Sequence, residues 1–310
     1  MAFFLSFLLF WLLIIVARGT LLFLIFLDLL YKNDCYFIVI LLYFGYKYLF
    51  RGVTMELWTK QHLITLLPAT IVMIGVAILL AYLFRNKDEK IKMIPIQVIA
   101  VLIVLLEIGK QVVSLVNGYW LYHLPLHFCS LFIFFLPLFA FYKGKGSEFI
   151  SSFTVTACTM MALLFLVYPN LIYSGAEVTN FFDNYFSFHT VVFHNLVLFA
   201  FILIIALKLY KFNTKKDIIS LVVGFLSYCI IAAAMAQILK TNFNNFYQCN
   251  IPPIAAVVDN IKASIGAALG QIIYVVIVII LDMAVAFLSY GLVRLYDKIY
   301  QKIKSKKQKD

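Results

Sequence analysis

The stretch Met93-Ile-Pro-Ile-Gln-Val-Ile-Ala-Val-Leu-Ile-Val-Leu-Leu-Glu-Ile-Gly-Lys-Gln-Val-Val-Ser-Leu-Val116 decides the fold class. It is long enough to cross a bilayer, since a spanning helix needs about 20 apolar residues. Its two charges, Glu107 and Lys110, stand three apart, on one helix face where they can pair. The rest of the chain repeats this pattern. Apolar segments of similar kind occupy about 62–84, 124–142, 149–168, 187–209, 217–239 and 269–295, which gives a core of seven expected spans. Two further apolar runs, about 3–31 and 36–50, precede it. The first is interrupted by Ala17-Arg18-Gly19-Thr20 and the second contains Lys47.

Composition agrees with a membrane solvent. Of 310 residues 65% are hydrophobic and 13% charged, against about 45–50% and about 25% in soluble domains. One soluble core cannot bury that much apolar surface, so a soluble enzyme, a secreted domain and a disordered chain are excluded for the body of the protein. The expected fold is all-α, a polytopic transmembrane helical bundle with a seven-span core plus one or two extra N-terminal spans. Residues 1–54 form a hydrophobic extension, 55–296 the core and 297–310 a basic tail. No basic region precedes the first apolar run, so residues 1–31 do not read as a signal peptide.

The net charge of +11 does not indicate nucleic acid, because the Lys and Arg residues sit in short loops between apolar runs. Basic residues crowd 85–92, 143–148, 208–216 and the tail from Arg294, and the alternate loops are poor in them. The positive-inside rule then makes the chain a multi-pass cell-membrane protein with a cytoplasmic C-terminus. The basic tail is suited to anionic lipid headgroups. Spacing gives no oligomeric state. The five cysteines, Cys35, Cys129, Cys158, Cys229 and Cys249, form no metal or disulfide spacing. No metal and no cofactor is expected.

The polar residues that remain point to one side of the membrane. In this topology all five histidines fall in the outer half: His62 at the start of the first core span, His123 and His127 at the third, His189 and His194 at the fifth. Glu107 and Lys110 share that level. The outer loop after the sixth span, with Asn242, Asn244 and Asn245, is rich in donors and acceptors. The densest motif is His123-Leu-Pro-Leu-His-Phe-Cys-Ser130. If it is helical from Pro125 onward, His123 and His127 lie on one face, with Cys129 just beyond. A His beside a Cys can make a thiolate and its base. His127 and Cys129 do not point together on a single helix, so His189 or His194 is the more plausible base.

These motifs resemble the YwaF-type bacterial integral membrane proteins, which are similar to the eukaryotic transmembrane protein 164 acyltransferases. The resemblance runs from about Met55 to about 295. It rests on His62, Glu107-Ile-Gly109, the 123–130 motif, His189, and Asn242-Phe-Asn-Asn245 with Cys249. It implies a seven-span bundle that acts on membrane phospholipids. The family's nucleophilic Cys immediately precedes the motif His; here that position is Leu126, and Cys129 is the substitute three residues on.

The expected function is a lipid acyltransferase or acyl hydrolase. Cys129, or a water held by His127, attacks an acyl ester, His189 is the base, and Asn244, Asn245 or helix-start amides steady the oxyanion. His62, Glu107, His123, His194 and Asn242 complete the substrate-binding set. Two alternatives stand beside it: a transporter or channel component built on Glu107, Lys110 and the histidines, and a non-catalytic lipid-binding protein.

Overall fold

The computed structural model describes residues 58–249 and 252–307. The N-terminal extension with its two expected spans and Cys35 lies outside the described residues. Those described contain helices, 3-10 turns and loops, and no strand. In chain order the helices are α1 (Lys60–Leu83), α2 (Glu89–Val116), α3 (Leu131–Phe141), α4 (Ser147–Val167), α5 (Gly175–Thr179), α6 (Tyr185–Ala206), α7 (Thr214–Leu239), α8 (Pro252–Ile265) and α9 (Ala267–Lys307). Six of them, α1, α2, α4, α6, α7 and α9, are long and apolar enough to cross a membrane.

Local chemistry sets the helix ends. α1 opens on a capping box in which Thr59 takes the His62 amide and the His62 ring takes the Thr59 amide. Asn184 and Asn213 cap α6 and α7 with their side-chain oxygens. α2 stops at Asn117-Gly118, where Gly118 has φ +85°, a left-handed turn that glycine makes without a Cβ penalty. Apolar side chains such as Ile64, Val72, Leu105, Val116, Ile238 and Ile272 stay exposed. In water that would be an interaction or aggregation surface; in lipid it is the ordinary outward face.

The third expected span differs from its sequence reading. Residues 124–127 are not helical. A 3-10 turn, Phe128–Ser130, leads into α3, and the apolar helix as a whole is Phe128–Phe141. At 1.5 Å per residue it covers about 20 Å of a hydrocarbon core of roughly 30 Å.

The described residues fall into two compact units. Unit 1 takes in 58–99, Cys158–Lys211 and 289–307; unit 2 takes in Ala100–Ala157 and Phe212–Leu288. In unit 1, α1, α5 and α6 pack on one another. In unit 2, α7 lies against the 147–157 part of α4 at Gly224, where an added Cβ would stand 2.5 Å from the Phe153 ring. Phe153 is itself fully buried, edge-on to Phe135. At one end of that pair of helices Ser152 donates to the buried Asp217, whose other oxygen takes the Asn213 amide.

Candidate functional site

In unit 2 one face of α2 carries Glu107, Gln111 and Ser114, spaced four and three apart. The expected ion pair is present: Lys110 Nζ lies 2.8 Å from Glu107 Oε1. Gln111 is the hub. Its Nε2 donates to Glu107 Oε1 at 2.6 Å and to the His123 carbonyl at 2.9 Å, and its Oε1 accepts from the Tyr119 hydroxyl at 2.7 Å. Ser114 and His123 Nδ1 share a hydrogen bond of 2.8 Å. The network fastens the segment after α2 back onto α2, and gives Tyr119, at φ +32°, a reason for its unusual backbone. Burial first, and the Glu107 charge second, raise the Tyr119 pKa, so its phenol remains a donor.

The shared helical face expected for His123 and His127 does not form. His123 closes a short 3-10 turn, Leu121–His123, and His127 precedes a second one. Tertiary bonds hold the chain between them open. The Tyr228 hydroxyl of α7 donates to the Leu126 carbonyl at 3.2 Å, and the Phe128 amide donates to Asn244 Oδ1 at 3.2 Å. These take backbone groups that an early start of the helix would otherwise satisfy.

His127 is consequently fixed. Its Nε2 lies 3.3 Å from the Tyr122 carbonyl. A carbonyl only accepts, so the ring donates from Nε2 and leaves Nδ1 as an acceptor. Tyr122 and Phe243 meet the ring edge-on at 4.5 Å and 5.4 Å, and the Asn244 side chain is hydrogen-bonded to it. Desolvation by these neighbours lowers the His127 pKa to about 4, and the Tyr122 carbonyl offsets this only in part. The imidazole is therefore neutral at physiological pH. Cys129, two residues on, is half-buried.

The asparagine loop folds around its own amides. Lys240 ends α7 in the left-handed region, and Asn244 and Asn245 follow at φ +47° and +61°, a conformation asparagine tolerates better than most residues. Asn242 Oδ1 accepts from Tyr247 N and Gln248 N at 3.2 Å and 3.1 Å. The Tyr274 hydroxyl of α9 donates to the Asn245 carbonyl. Gln237 and Gln271 donate to the Phe246 and Tyr247 carbonyls at 2.8 Å and 3.0 Å. The loop's polarity is thus largely spent on its own turn.

The remaining histidines belong to unit 1. His62 serves the cap of α1, and its Nε2 donates to the Tyr173 carbonyl at 2.8 Å. Burial pushes the Tyr173 phenol up to about 12. His194 Nδ1 donates to Thr190 O at 2.6 Å, one turn back on α6. His189 is buried and stacked on Phe193. Unit 2 thus gathers Glu107, His123, His127, Cys129, Asn242, Asn244 and Asn245, and unit 1 gathers His62, His189 and His194. Sequence reasoning passed over Tyr228, Gln237, Gln271 and Asp282. Asp282 carried a usable signal, since one acid inside a long apolar run is a functional candidate by default. Among the described residues no three His, Cys, Asp or Glu side chains gather as a metal set.

No curated protein and no solved structure matches the chain. A family model does, over residues 57–290, which takes in all six long apolar helices up to the last part of α9 and every one of the clusters above. The chain belongs to the TMEM164 family.

Proposed function

We propose that this protein is a membrane-embedded lipid acyltransferase or acyl hydrolase whose chemistry is carried out in unit 2 at His127. The observation that carries this reading is the state of the His127 ring. It is neutral, oriented from Nε2 by the Tyr122 carbonyl and hydrogen-bonded to the Asn244 side chain, so its Nδ1 carries no proton. An unprotonated ring nitrogen is one requirement of a general base; the burial that keeps this ring neutral also makes it a weaker base than a free imidazole. The nucleophile, the Cys129 thiol or a water, gives its proton to Nδ1 and attacks the ester carbonyl of a phospholipid acyl chain. The tetrahedral intermediate collapses, the acyl–oxygen bond breaks, and the leaving alcohol takes the proton back from the imidazolium. With Cys129 the product is a thioester that a second alcohol or water resolves; with water it is the free acid.

The Glu107–Lys110–Gln111 network supports this reading over a transport path. Glu107 and Lys110 neutralise one another and, through Gln111, hold the backbone of His123. A fixed anchor for the His127 segment needs such rigidity, and a moving charge does not.

In this reading Phe128–Phe141 counts as a crossing, which makes seven. The basic loops 85–92 and 143–148 come to one side only if two crossings separate them, and α2 supplies just one. The unbroken α9 then carries the basic tail to the cytoplasmic face, where anionic headgroups are the partners. The assay is purified full-length protein in nanodiscs of phospholipid with a labelled acyl chain, probed also with an acyl-directed active-site reagent. A covalent adduct on Cys129 that is lost in Cys129→Ala supports the thioester route. Turnover retained in Cys129→Ala supports water. Absence of both turnover and adduct in the wild type refutes the proposal.

A further inference from the structure

His127 is oriented by a carbonyl, and a carbonyl points where its backbone points. It is the carbonyl of Tyr122, in the middle of the 3-10 turn Leu121–His123. So short a turn has little rigidity of its own. His123 N donates to Trp120 O at 2.9 Å and Leu124 N to Leu121 O at 3.1 Å, and Trp120, the N-cap, makes no side-chain capping bond. Side chains therefore decide how firmly the Tyr122 carbonyl is aimed. The far end of the turn is fastened to α2, the His123 ring by Ser114 and the His123 carbonyl by Gln111. The near end is held by rings. Trp120 stacks on Tyr122, with centroids 4.8 Å apart and planes at 23°, and meets His123 edge-on at 5.3 Å. Tyr122 in turn meets His127 at 4.5 Å.

Trp120 is 64% exposed, so burial within the protein does not account for it. An indole just past the end of a spanning helix is an ordinary membrane-interface residue, but an interface anchor needs no partner ring. Trp120 has two, and they flank a single peptide unit, the one that joins Tyr122 to His123. The carbonyl of that unit receives the His127 Nε2 proton, and its amide donates to the carbonyl of Trp120. Trp120 thus grips the unit twice, by its backbone and by its indole. We infer that Trp120 is a positioning residue for His127: its ring stack on Tyr122 keeps the Tyr122 carbonyl on Nε2 and so fixes the orientation of the imidazole. This rests on the chemistry proposed for His127 and adds to it the residue that aims the ring.

Exchange of the Nε2 proton tests it, because a ring N–H held on a carbonyl exchanges with water more slowly than a free one. The full-length protein, labelled with nitrogen-15 at histidine, is placed in phosphatidylcholine nanodiscs, and the His127 signal is identified by its loss in His127→Gln. The expected result is a protected Nε2–H in the wild type, exchange several-fold faster in Trp120→Leu, and protection restored in Trp120→Phe, which returns a flat ring to the stack. Thermal unfolding should stay close to wild type in both variants, since the side chain is exposed. If Trp120→Leu does not assemble, Tyr122→Leu removes the same stack from its other side and is read in the same way. Equal exchange in wild type and the leucine variant would overturn the inference. So would a phenylalanine variant that behaves like leucine, which is the behaviour of a plain interface anchor, and so would a wild type with no protected Nε2–H. None of these readings needs turnover. A protein that turns over no lipid but shows the expected pattern would refute the proposed function and leave the positioning role standing.

Discussion

Asn244 Oδ1 accepts the Phe128 amide at 3.2 Å, tying the asparagine loop to the first residue of the short apolar helix across more than a hundred residues of chain. The same residue sits at φ +47° and lies against the His127 ring. One side chain therefore fixes the start of the helix, the turn of the loop and the floor of the candidate base.

Asn244→Ala is expected to destabilise the protein by about 1–3 kcal/mol, from an unsatisfied buried amide together with a left-handed backbone that alanine resists. Asn244→Gly relieves the backbone and should recover only part of the loss. Thermal unfolding in detergent measures both. Equal stability of Asn244→Ala and wild type would mean that the bond to Phe128 does not hold the segment.

Gly224→Ala is a test of packing in unit 2. The added methyl meets Phe153, a fully buried ring confined by Phe135 and Phe149. Overpacking of this kind costs about 1–3 kcal/mol. The pair Gly224→Ala with Phe153→Leu should be more stable than Gly224→Ala alone, since the smaller side chain makes room. A Gly224→Ala protein as stable as wild type would contradict the close approach.

Topology has its own check. Single cysteines in 85–92, 143–148 and 210–216 should react with an impermeant maleimide only from the cytoplasmic face, and a cysteine at position 180 only from the outside. Position 180 labelled from the cytoplasm would overturn the orientation, and labelling of 85–92 and 143–148 from opposite faces would remove the seven-crossing assignment.

Much of the architecture could be read in the sequence because lipid imposes it. A run such as 93–116 has one stable form in a bilayer, and the Glu107–Lys110 pair follows from helical spacing alone. The form of 117–127 could not be read that way. His-x3-His suggests one helix face, yet here the backbone is drawn out of helix by Asn244 and Tyr228, which are remote in sequence. The Asn-rich loop looked like a ligand surface, but most of its polar groups satisfy its own turn. His62 forms a capping box that could have been read from Thr59-Lys-Gln-His62. Asp282 was legible as one acid inside a long apolar run.

His189 tests whether the unit 1 histidines take part. His189→Gln keeps the size of the side chain and removes the ring nitrogens that could exchange a proton. If His189 acts in the reaction, turnover should fall by about 10²–10⁴-fold with thermal stability nearly unchanged. Unchanged turnover would leave His189 a core residue stacked on Phe193.

The most direct measurement is the turnover of labelled phospholipid by His127→Gln beside the wild type, both purified at full length in nanodiscs and matched for thermal stability. Glutamine can still donate to the Tyr122 carbonyl and has no ring nitrogen to accept a proton. The expected result is a loss of about 10²–10⁴-fold in rate from an otherwise intact protein. Wild-type turnover by His127→Gln would contradict the claim that this histidine is the base.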